Sequence, residues 1–232
     1  MNLFDHLFVL IFAVIYPIVG FIGYRRFLEK VKAGMPPNRR RLYLETTSWQ
    51  WALFALGAIV WLISDRDIAA LGFGFELNTR ELIGAALTAI GIALMFVQVR
   101  QVAGYSKEKL QEFHSTVGEL SIMMPHNGSE LVRFNLLSVT AGIVEETLWR
   151  GYLFWYLGHF MPLWTAAIIS AVGFGIAHSY QGLANVPRVV IVGAVFSGLY
   201  LLTGSLWMPI LLHAALDLLQ GRMVSQALQK IA

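Results

Sequence analysis

Seven stretches of mostly apolar residues, each near the length that crosses a bilayer, divide this chain, with short charged segments between them. A hydrocarbon core of about 30 Å needs roughly 20 predominantly apolar helical residues. Within it only helices and closed barrels satisfy every backbone amide. The stretches run Leu7–Tyr24, Ser48–Ser64, Leu82–Val99, Phe134–Gly158, Leu163–His178, Val189–Thr203 and Leu206–Leu219. They predict an all-α, polytopic transmembrane helical bundle of about seven spans. Only 13% of the residues are charged while 57% are hydrophobic, against about 25% charged in a soluble domain. That little charge cannot cover a water-facing surface of this size, so the apolar excess faces lipid. Met1–His6 lacks Lys and Arg, and no A-x-A-like site follows; the first stretch therefore reads as a retained helix rather than a cleaved signal.

Loop charge predicts the orientation. The first loop carries Arg25, Arg26, Lys30, Lys32, Arg39, Arg40 and Arg41 against Glu29 and Glu45. The second holds Asp65, Asp67, Glu76 and Glu81 against Arg66 and Arg80. By the positive-inside rule the first is cytoplasmic and the second is not. Counting onward, the segment with Arg100, Lys107, Lys109 and Arg133 is cytoplasmic, the N-terminus lies outside and the C-terminus inside. The excess of basic residues (net charge +3) is thus a topology signal and points away from nucleic acid. Gln101–Val132 is too polar to span, and Leu110–Met124 predicts an amphipathic or re-entrant helix before the fourth span. There is no cysteine, so disulfides and thiolate chemistry are excluded.

Charges at a helix centre cost about 2.5–3.5 kcal/mol each on insertion scales, so those that persist need a partner or a function. The fourth span places Glu145, Glu146 and Arg150 within six residues. Glu146 and Arg150 are i,i+4 neighbours in the acid-first order and can pair. Glu145 points about 100° away, so its own helix gives it no partner. The fifth span ends at His178, and the seventh holds His213 and Asp217, again i,i+4, where the Asp can orient the imidazole or share a ligand with it. Glu145, His178, His213 and Asp217 together suit activation of a water, with or without a metal. A Glu, two His and an Asp are an acceptable donor set for zinc, although the spacing is not HExxH.

The motifs EExxxR (Glu145, Glu146, Arg150), FxxxH (Phe174, His178) and HxxxD (His213, Asp217) resemble the signature of CPBP proteins. That family comprises CAAX prenyl endoproteases and the bacteriocin-processing and abortive-infection-related (Abi) membrane proteins. The resemblance covers roughly Ser138–Leu219. It implies an intramembrane endopeptidase acting on a protein or peptide at the membrane, prenylated or not, with residues 134–232 as the catalytic core. Residues 1–133 supply N-terminal helices and cytoplasmic loops. Glu145 would be the general base, helped by His178; His213 and Asp217 would hold the water or stabilise the oxyanion. Glu146 and Arg150 would form a structural pair that positions Glu145 or contacts the substrate backbone. The prenyl-protease branch usually has Asn where this chain has Asp217. The rival reading is a non-catalytic scaffold or a transporter that uses the same buried charges, although no inverted repeat is visible. His6, His114, His126 and His159 read as solvated, and Trp49, Trp51, Trp155, Trp164 and Trp207 as interfacial anchors or packing residues.

Overall fold

A computed structural model describes residues 1–231; among them every regular element is a helix. Helix α1 covers Leu3–Lys32, α2 Arg39–Leu62, α3 Thr79–Ala103 and α4 Lys107–Val117. Helix α5 runs continuously over 128–157, and α6 covers Leu163–Ala177. Val186–Thr203 forms α7, and Trp207–Ile231 forms α8. The predicted spans map onto these helices, most of them longer than their apolar cores. The last departs most. It continues well past Leu219, because Gln220–Ile231 keeps good helix formers and buries Met223, Val224, Ala227 and Leu228.

Polar side chains start several of these helices. Asn38, Asn78, Ser106 and Asn127 each accept a hydrogen bond from the backbone N–H three residues on, which satisfies one of the orphan donors of a first turn. Pro17 has no N–H to give to Ala13, and the turn Ile11–Ile15 that contains that carbonyl opens into a π-turn.

Three helices, Leu3–Lys32, Thr79–Ala103 and Leu183–Thr203, are long and apolar enough to cross a membrane, and Leu163–Ala177 is a shorter apolar helix. Helices α2 and α8 have the length, but Gln50, Thr46 and Thr47 in one and His213, Asp217 and Arg222 in the other interrupt the apolar run. The two groups sit differently. Leu82, Ile83, Leu87, Ile90, Leu94 and Val97 of α3 are all largely exposed, an apolar strip far too extensive for water and suited to lipid. Helices α5 and α8 pack closely against each other. Gly142 makes this possible: a β-carbon there would lie 2.9 Å from Ala214 and 3.0 Å from the Ile210 carbonyl.

The chain ends and loops sort to two ends of the bundle. At one, Asn2 donates to Ser64, Arg66 pairs with Asp5, and Leu206 N–H donates to the Gly72 carbonyl. At the other, Lys32 pairs with Glu119, Arg39 donates to the Ile122 carbonyl, and Lys230 donates to that of Ala103. The predicted amphipathic segment is helical over Lys107–Val117, followed by a 3-10 turn over Gly118–Ile122. Its Leu110 packs with Val99, Val102, Met223 and Ala227, so its apolar side covers protein.

An aromatic cluster of Phe8, Phe12, Trp61, Trp149, Tyr152 and Phe174 joins α1, α2, α5 and α6. Edge-to-face pairs such as Phe8–Tyr152, with centroids 4.7 Å apart, each contribute about 0.5–1.5 kcal/mol. In lipid such packing replaces the hydrophobic effect as the force that joins helices.

Candidate active site

Both acids lie on α5, immediately before a second π-turn at Thr147–Tyr152. Such turns recur at functional sites. Gly151 within it lets the Leu71 carbonyl approach to 3.0 Å of where a β-carbon would stand.

Glu146 is fully buried. Its Oε1 accepts from Arg150 Nη1 at 2.9 Å and from His213 Nδ1 at 2.7 Å. Arg150, equally buried, donates from Nη2 to the Gly193 carbonyl at 3.0 Å. Its guanidinium lies 4.4 Å from the Phe174 ring centre and 5.3 Å from that of Phe196, favourable for a desolvated cation. The i,i+4 pair foreseen from the sequence is therefore present, and it reaches further than one helix. Through Gly193 it holds α7, and through His213 it holds α8. Glycine at 193 eases this approach, because a β-carbon there would sit 3.1 Å from Arg150 Nη2 and 3.3 Å from Phe174, closer than side chains usually pack.

His213 stacks on Phe196 (centroids 5.0 Å apart, planes at 15°) and meets Phe174 edge-on at 5.9 Å. With Nδ1 committed to Glu146, its Nε2 faces Asp217 Oδ2 at 3.7 Å. The carboxylate that orients His213 is Glu146, from another helix; Asp217 lies beyond hydrogen-bond distance and its side chain is 38% exposed. Adjacency on one helix put Asp217 within reach, but the α5–α8 contact delivers a nearer acid.

Glu145 has a different environment. Gln50 of α2, itself 5% exposed, donates from Nε2 to Glu145 Oε1 at 2.8 Å. The other oxygen, Oε2, has no hydrogen-bond partner among the described residues and stands 3.6 Å from His178 Nε2. His178 Nδ1 lies 2.8 Å from the Phe174 carbonyl. A carbonyl only accepts, so Nδ1 carries the hydrogen and Nε2 is the nitrogen left for chemistry. The gap to Glu145 is too long for a direct bond and of the kind a water bridges. Phe174 separates the two imidazoles: its ring touches both, and its carbonyl fixes one of them.

The donor set Glu145, His178, His213 and Asp217 does not fit a metal ion as it is arranged. Among the described residues no three His, Asp or Glu side chains gather closely enough to hold one.

Three features escaped sequence reading. Gln50 was visible only as one amide inside an apolar span. Gly193 looked like any membrane glycine. A third is a buried cluster at the N-terminal end of the bundle, where Asp5 accepts from Arg66 Nη1 and Nη2, each at 2.7 Å, from Tyr152 Oη at 2.6 Å and from Asn2 N–H at 2.7 Å. Of the histidines read as solvated, His6, His126 and His159 are exposed and stand apart from the site.

Residues 127–219 match the family model described as type II CAAX prenyl endopeptidase Rce1-like. This supports the resemblance to the CPBP/CAAX protease family drawn from the three motifs. All six candidate residues lie inside the match; Gln50 lies outside it. No curated protein and no solved structure matches the chain.

Proposed function

We propose that this chain is an intramembrane endopeptidase that hydrolyses peptide bonds of membrane-associated proteins or peptides, prenylated ones included, with a water activated by Glu145. The observation that carries this reading is the asymmetry of Glu145: one oxygen is pinned by Gln50, and the other is free and faces His178 Nε2. A carboxylate held in this way has one lone pair available to a water and a second base beside it. Glu145 Oε2 takes a proton from the water as its oxygen attacks the scissile carbonyl. The same proton then passes to the leaving amine. His213, fixed by Glu146, presents Nε2 on the far side of Phe174 and, when protonated, donates to the developing oxyanion. Glu146 and Arg150 touch neither water nor substrate; they set His213 and tie four helices together.

In this reading the bundle crosses the membrane seven times, with the N-terminus outside and the C-terminus cytoplasmic. The gathering of Lys32, Arg39, Lys230 and the 104–127 segment at one end of the bundle supports that orientation. Residues 134–232 carry the chemistry, and residues 1–133 frame it through α1 and α2.

The test is cleavage of a peptide library by detergent-purified protein, with wild type compared against Glu145→Gln and His213→Ala. Cleavage by wild type, lost in both variants, supports the reading. Full activity of Glu145→Gln would overturn it.

A further inference from the structure

We infer that Gln50, on a helix outside the motif-bearing core, is a positioning residue for the general base; this rests on the protease reading above. Gln50 is nine-tenths buried, and its amide nitrogen lies 2.8 Å from Glu145 Oε1. The orientation of the amide is dictated by its neighbour, since the reverse flip would set two acceptor oxygens against each other. The contact therefore fixes the torsion of Glu145, so that Oε2 is the oxygen turned toward His178 Nε2.

The residue type matters as much as the place. A Lys or Arg at this position would donate equally well, but it would bring a full charge that pairs with Glu145 and blunts it as a base. An amide donates without a charge, so it orients the acid while leaving it reactive. The Gln50 carbonyl oxygen and Glu145 Oε2 have no hydrogen-bond partner among the described residues, which is uncommon for buried polar atoms.

Gln50→Met keeps the length of the side chain and removes both polar atoms. The expected result is a fall in kcat of about 10- to 100-fold, as for a misplaced catalytic group, with KM near that of wild type and a melting temperature lowered only by the loss of one hydrogen bond. A fall in activity no larger than the loss of folded protein would reduce Gln50 to a packing residue and overturn the inference. So would an unchanged kcat while Glu145→Gln is inactive, which leaves the protease reading standing.

A second measurement works without turnover. Melting temperatures of Gln50→Met, Glu145→Gln and the double variant form a cycle, and a direct hydrogen bond makes the three changes non-additive. Additive shifts would show that the two side chains do not interact in the folded protein. Additivity therefore overturns the inference even if no substrate has been found.

Discussion

Two carboxylates of this protein, the buried Asp5 and the half-buried Glu145, sit at different heights of the bundle and have opposite fates. Asp5 spends everything it has: Arg66, Tyr152 and Asn2 together occupy both of its oxygens with four hydrogen bonds, about the full capacity of a carboxylate. Its arginine is in turn capped by Trp155 at 4.2 Å and Trp61 at 5.3 Å. Glu145 receives one neutral donor and keeps an oxygen open. Both acids are costly to bury, but only the first recovers the cost locally. A carboxylate with every lone pair committed is an anchor. Glu146 Oε2 is also without a partner among the described residues, so what sets Glu145 apart is that its open oxygen faces His178 Nε2.

That contrast can be broken most directly by neutralising each acid in turn. Glu145→Gln should lower the cleavage rate by roughly 10²–10⁴-fold, the contribution of a general base, with no loss of thermal stability. Arg150→Met should do damage of both kinds. It takes the arginine from a buried carboxylate, at about 3–5 kcal/mol by thermal unfolding in detergent, and it removes one of the two bonds that hold Glu146 Oε1 against His213, so that activity falls as well. Asp5→Asn is the mirror image of the first variant. It should cost about 1.5–3 kcal/mol, the range for hydrogen bonds to a charged group, while molecules that remain folded keep the wild-type kcat. Abolished turnover in well-folded Asp5→Asn protein would end the distinction between anchor and base. The smallest effect should come from Asp217→Asn. An acid 3.7 Å from its imidazole and 38% exposed contributes on the order of 1 kcal/mol or less, so activity measured side by side with wild type should drop by less than about tenfold.

Much of this was legible in the residues. Apolar run lengths located the helices, because burial in lipid leaves the backbone few alternatives. Spacing on α5 predicted that Glu146 would pair with Arg150 and that Glu145 would not, because helical geometry separates adjacent side chains by a fixed angle. What stayed hidden was set by contacts between helices. Nothing in the spacing of HxxxD shows that Glu146 of another helix lies nearer to His213 than Asp217 does, since that depends on how closely Gly142 lets α5 and α8 approach. Gln50 lies far from the motifs in sequence, on a helix whose polar residues signal nothing by their periodicity. The Asp5 cluster was likewise unreadable: it joins an N-terminal acid, a loop arginine and a tyrosine of the π-turn, which no local pattern relates.

Gly193 has a consequence for how variants of this chain would be judged. Its missing side chain leaves the space that an arginine from another helix occupies. A single methyl group there would press on Arg150 and Phe174, both of which are buried and hemmed in. The hydrogen bonds that pass through Arg150 to Glu146 and on to His213 would shift with them. Such a chain would still carry EExxxR, FxxxH and HxxxD letter for letter. A search for the motifs would count it as intact, although the contacts that hold Arg150, Glu146 and His213 in place had shifted.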